Sequence, residues 1–168
     1  MTSPILSSEQ IGHLTGVVAE YISAQRLKAL LAAVPLDSVQ SASMTGFFPQ
    51  EVFDSTRLLV LDGTRVENPP FYAFLLQIGF ITLPDFTTMA AITFGDVVVS
   101  HQPFTDGLLF HELVHVVQYR QLGIARFAEL YVRGFLAGGG YDGIPLEVNA
   151  RQLEDRASPS GHSDHIVS

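Results

Sequence analysis

Two histidines stand four residues apart inside an apolar run, His111-Glu112-Leu113-Val114-His115-Val116-Val117, and no other feature restricts the possible structures of the chain so strongly. Residues at that spacing lie one turn above each other on one face of a helix. Two imidazoles placed so can aim ring nitrogens at one point, and a zinc ion accepts such nitrogens at roughly 2.0–2.1 Å. The flanking Leu109, Leu113, Val114, Val116 and Val117 are all uncharged, which predicts a buried helix. Burying two histidines and a glutamate is costly unless they find partners. The plainer alternative is two core histidines, each satisfied by a backbone carbonyl, with Glu112 on a solvated face. Glu112 sits about 100° round the helix from His111, off the ligand pair but within reach of a water held by the metal. Zinc lowers the pKa of that water only to about 7, so hydrolysis needs a base beside it. The pattern therefore assigns His111 and His115 as metal ligands and Glu112 as catalytic base.

A catalytic zinc site keeps three protein ligands and one open position. The chain has no cysteine, so the third ligand must be His, Asp or Glu. The other histidines are His13 in the first helix, His101 in a loop, and His162 and His165 near the C-terminus. None follows closely behind the motif. Glu147, Glu154 and Asp155 lie on the last expected helix. Glu147 follows a glycine-rich loop and Pro145, with enough chain before it to fold back on the active helix, and is the first choice. Glu154 is the alternative third ligand. It lies roughly 10 Å further along the same helix axis, so only one of the two is expected to reach the metal.

The remaining chain is read from periodicity and turn chemistry. Ser7 and Gln10 form a capping box ahead of a helix expected over residues 8–33. A strand is expected over Thr56–Leu61, followed by a tight hairpin turn at Asp62-Gly63, and a short helix over Phe71–Ile78. Ala91–Phe94 and Val97–Val99 flank Gly95-Asp96 as a hairpin. Thr105 or Asp106 caps the motif helix, which should stop at Gly123. A further helix from Ile124 ends at Gly138-Gly139-Gly140, and a last one covers 145–157. Helix, strands, then helices is an α+β order.

The 168 residues and their length suit a single domain over 1–157, with a flexible tail over 158–168. The formal net charge of -8 lacks the cationic footprint that nucleic acid requires, and it disfavours anionic membrane surfaces. No apolar run is long enough to span a bilayer, and Met1–Ser8 lacks the flank and core of a signal peptide, so a cytoplasmic location is expected.

The residues His111–Gln118 resemble the bacterial zincin-like domains that occur alone or beside the toxin cores of extracellular contractile injection systems. The hairpin Ala91–Val99 stands where those domains carry a strand pair. Glu147-Val148-Asn149-Ala150 resembles the Glu-x-x-Ala helix that supplies the third ligand in glutamate-zincins. The resemblance covers roughly residues 85–157 and implies a minimal zincin-like fold with His111, His115 and Glu147 on one zinc ion and Glu112 as base. Arg151 stands where many glutamate-zincins have an aspartate that orients a ligand histidine, so that support must be built differently here.

The expected activity is zinc-dependent peptide-bond hydrolysis on a peptide or protein substrate. The alternative is a catalytically silent zincin-fold scaffold or partner-binding module. Tyr141 and His101 are candidates for contact with substrate or transition state. Val97–Ser100, taken as an edge strand, could pair with an extended peptide.

Overall fold

The computed structural model describes residues 4–138 and 140–157. The expectations for Met1–Ser3, Gly139 and the tail 158–168, His162 and His165 included, lie outside the described residues. The architecture is α+β: six helices and a four-stranded mixed sheet among the described residues.

Helix α1 spans Ser8–Leu30. Its capping box forms as expected: the Ser7 hydroxyl accepts from the Gln10 amide at 3.1 Å, and the Gln10 side chain accepts from the Ser7 amide at 2.8 Å. The helix ends a turn before residue 33. Val34 precedes a proline and is pushed into extended backbone, so Val34–Pro35 becomes the short strand β1. Helices α2 (Ser38–Met44) and α3 (Gln50–Ser55) lie outside the sequence expectations, although Asp37 and Gln40 form a second capping box. Strand β2 covers Arg57–Val60 and helix α4 covers Tyr72–Gln77.

Strands β3 (Ala91–Phe94) and β4 (Val97–Ser100) form the expected antiparallel hairpin, with Gly95 at φ +70° in its turn. Two other expectations are corrected by the sheet order β1-β2-β4-β3. Asp62-Gly63 closes no hairpin, because β2 pairs in parallel with β4 and the chain travels through α4 and β3 before returning. Gly63 takes φ +77° in a bend instead. Val97–Ser100 is not an edge. It lies between β2 and β3, and Val97 and Val98 are fully buried. The edge beside the motif helix is β3.

Alternate residues of the sheet serve two apolar clusters, as a period of two requires. Leu58, Ala91 and Val98 pack with Leu109, Leu113, Val114 and Val117. Ile92, Phe94, Val97 and Val99 pack with Tyr21, Ile22, Tyr119 and Phe127. Helix α5 (Asp106–Leu136) joins both. Thr105 caps it, its hydroxyl accepting from the Leu108 amide at 3.1 Å. Gly123, at φ 77° and ψ 165°, breaks the helical path, so the stop expected there is a kink between two helical halves. Tyr141–Gly143 is one 3-10 turn, and α6 (Pro145–Ala157) closes the described chain. Among the described residues, no helix is long and apolar enough to cross a membrane.

Candidate metal centre

The first half of α5 is buried on nearly every side, from Leu109 to Tyr119, with His111 half-buried. The start of α6 lies against the second half of α5, closely enough that a methyl group on Gly134 would lie 2.7 Å from the Pro145 ring. That approach delivers Glu147, in the first turn of α6 and 5% exposed, to the histidine pair. His111 Nε2 lies 3.2 Å from Glu147 Oε2, His115 Nε2 lies 3.0 Å from Glu147 Oε1, and the two Nε2 atoms are 3.2 Å apart. One donor atom from each of the three residues falls within 4.8 Å of the others, a group that could hold a metal ion.

The outer nitrogens of the two rings decide what the inner ones present. Gln118 Nε2 donates to the Leu146 carbonyl at 3.0 Å and to Asn149 Oδ1 at 3.1 Å. A carbonyl can only accept, so the Gln118 amide is oriented and its Oε1 faces His115 Nδ1 at 2.8 Å. Nδ1 must then carry the proton, which leaves a lone pair on Nε2 of the neutral ring. Glu154 does the same for His111: its Oε1 lies 3.1 Å from His111 Nδ1. Two imidazole lone pairs and a carboxylate thus converge with no donor of their own. Only a cation, protons or a metal ion, makes that arrangement favourable. The nitrogen-nitrogen-oxygen donor set fits zinc chemistry.

In the protonated, metal-free state the charges follow from the same contacts. Burial opposes charge on His115, but Glu147, Glu112 and Gln118 outweigh it and push its pKa up to about 9. His111 is raised as well: burial and the neighbouring His115 work against its charge, and the Glu147 hydrogen bond together with the Glu112 and Glu147 charges outweighs them. Burial alone would raise Glu147, yet its hydrogen bonds with both histidines hold the carboxyl well below the usual range. Glu112 goes the other way. It is 4% exposed, and burial raises it despite the two imidazoles and the Thr93 hydroxyl, which donates to its Oε2 at 2.6 Å.

Tyr141, in the turn before α6, hydrogen-bonds Glu147; burial and the Glu147 and Glu112 carboxylates keep its hydroxyl protonated. It lines the same groove as Glu112, His115 and Glu147. His101 is not brought to the site. Its Nδ1 lies 2.6 Å from the Met89 carbonyl and its Nε2 accepts from the Val66 amide at 2.9 Å, so the ring ties together the loops around β3 and β4. His13 is exposed on α1, and Asp155 is exposed on α6. Arg151 pairs with Asp142, through its carbonyl and, at 3.7 Å, its carboxylate. The outer nitrogen of His111 is met by Glu154 and not by residue 151.

Thr93 and Gln118 belong to the site and were not legible as such. Gln118 does follow the second histidine by three residues, which places it on the same helix face. Thr93 offers no local signal, because its partner lies nineteen residues on. Comparison of the chain with known protein families, with curated proteins and with solved structures finds no match.

Proposed function

We propose that this protein is a zinc-dependent peptidase that hydrolyses a peptide bond at the group His111, His115 and Glu147, with Glu112 as general base. The observation that carries this reading is Glu112. It is buried beside the three ligand residues without being one of them, and Thr93 holds one of its oxygens. A site that merely staples helices together has no use for a desolvated carboxylate next to it. Desolvation raises its basicity, which suits a group that takes a proton and returns it. The resemblance to zincin-like domains supports the same reading.

A zinc ion bound here would polarise the scissile carbonyl and acidify the attacking water. Glu112 accepts the proton from that water as its oxygen bonds to the carbonyl carbon. It then passes the proton to the amide nitrogen as the carbon–nitrogen bond breaks, giving a carboxylate and an amine. Gln118 and Glu154 hold the two imidazoles in the ligating tautomer. Tyr141, protonated and beside Glu147, supplies a donor for the developing oxyanion when its hydroxyl turns from that carboxylate. An extended substrate would pair with β3, which stands last in the sheet order next to the site.

Glu112→Gln tests the proposal. The variant keeps shape and the Thr93 contact but cannot accept the proton. Screened against a peptide library beside the wild type, it should keep about one zinc per chain and lose turnover by at least about 10²-fold. Cleavage that persists undiminished would overturn the mechanism, and a wild type that binds zinc but cleaves nothing would favour the scaffold alternative.

A further inference from the structure

The metal group opens onto a groove far larger than the ion requires, and its lining is almost wholly apolar. Val18 of α1, Tyr72 of α4, Phe94 of β3, and Phe127 and Tyr131 of α5 line it together with Glu112, His115 and Glu147. Most polar atoms in this lining are already engaged. The Tyr21 hydroxyl donates to the Glu67 carbonyl at 2.6 Å, Thr93 to Glu112, and Tyr141 hydrogen-bonds Glu147. Tyr131 differs. Its hydroxyl oxygen is shielded from solvent and has no hydrogen-bond partner among the described residues. A shielded hydroxyl without a partner is costly, and the cost is removed when a bound molecule supplies an acceptor.

We propose that this groove is the specificity subsite of the site above: it seats a large apolar side chain, of leucine or phenylalanine size, on a residue next to the scissile bond. Tyr131 donates to a backbone carbonyl of the same bound peptide. The proposal rests on the peptidase reading and names its substrate class. An acidic side chain entering the groove meets Glu112 and Glu147 and loses its water without gaining a donor other than tyrosine. A short side chain leaves the aromatic walls uncovered. Each buried methylene is worth about fourfold in affinity, so a leucine-sized group outbinds a methyl group by roughly 50-fold.

Binding separates this inference from turnover. The zinc-loaded full chain is titrated calorimetrically with matched peptidyl hydroxamates that differ only in the side chain beside the zinc-binding group: methyl, isobutyl, benzyl or carboxymethyl. The expected result is isobutyl and benzyl at least about 30-fold tighter than methyl, with carboxymethyl weakest. Tyr131→Phe should keep its zinc and weaken all four about 3- to 10-fold. Val18→Phe, which narrows the groove, should erase the preference for isobutyl and benzyl while sparing methyl. Equal affinities across the series, or a preference for carboxymethyl, would overturn the subsite while leaving the peptidase reading intact. Failure of every hydroxamate to bind overturns both. Ordered binding without cleavage of any Leu- or Phe-containing peptide overturns the peptidase reading and, with it, the placing of the seated side chain beside a scissile bond.

Discussion

The two halves of α5 share one helix and obey different rules. From Leu109 to Tyr119, ahead of Gly123, the helix is buried almost all round, and the carboxylate, imidazole and amide side chains there are the buried Glu112, His115 and Gln118 and the half-buried His111. After Gly123 it is amphipathic in the ordinary way. Phe127, Ala128 and Val132 face inward, while Arg126, Glu129 and Arg133 form an outer ladder, with Arg133 Nε 3.1 Å from Glu129 Oε2. The outer charges are solvated and add little. The inner ones have given up water and must be repaid by partners: each imidazole is held from two sides, and Thr93 holds one oxygen of Glu112. Charge that is buried and fully partnered marks the working half; charge laid along the surface marks the supporting half.

Removing an inner ligand should break that contrast most severely. His115→Ala and Glu147→Ala should each lower zinc affinity by more than about 10²-fold, read by metal content after dialysis against a chelator. Gln118→Leu and Glu154→Ala act one step further out, on the ring orientation, and each should cost about 10-fold or somewhat more in affinity. If Glu154→Ala proves the more damaging carboxylate change, the roles of the two α6 glutamates are reversed.

The supporting half enters through Gly134, where an added methyl group would meet the start of α6. Gly134→Ala forces the Pro145 contact at 2.7 Å apart and should destabilise the chain by about 1–3 kcal/mol in urea unfolding, with a parallel loss of zinc affinity. Unchanged zinc affinity would mean that α6 is held by its other contacts alone.

The protonation of the inner cluster gives a subtler comparison. In the metal-free chain the folded His115 titrates near 9, above its ordinary 6.5. Its stabilising contact is therefore fully present below pH 6.5 and is lost as pH rises through 9. Zinc competes with that proton, so its effect runs the opposite way. The difference in Tm with and without zinc should grow between pH 6.5 and 9. A flat difference across this window would show that His115 is not the competing proton site. The smallest effect is expected on the outer ladder: Glu129→Gln should leave zinc content and Tm within error of the wild type.

Features set by neighbouring residues were legible in the chain. The Ser7–Gln10 box starts α1, Gly95 turns the β3–β4 hairpin, and Gly123 interrupts α5, each through backbone geometry that spans only a few residues. The box at Asp37–Gln40 carried the same information for α2. Asp62-Gly63 shows the limit of such signals. A good turn pair cannot choose the strand that pairs next, and β2 found its partner in β4 across the intervening chain.

The same division runs through the site. The spacing of His111 and His115, and the offset of Glu112 from both, follow from helical geometry and were determined by the sequence by itself. Which carboxylate meets which nitrogen was not. Glu147 and Glu154 are equivalent as residue types and share a helix face, and both lie beside His111. An imidazole has nitrogens on opposite sides, so one ring can meet two turns of α6 at once, 3.2 Å from Glu147 and 3.1 Å from Glu154. Tertiary structure decided the assignment through the way α6 packs on α5, with close approaches at Gly134 to Pro145 and at Gly107 to Glu154. It also moved His101 out of contention, because a ring whose two nitrogens already hold backbone groups has nothing left for catalysis. Contacts within one helical turn are dictated by the backbone; contacts between helices depend on which side chains let the backbones approach.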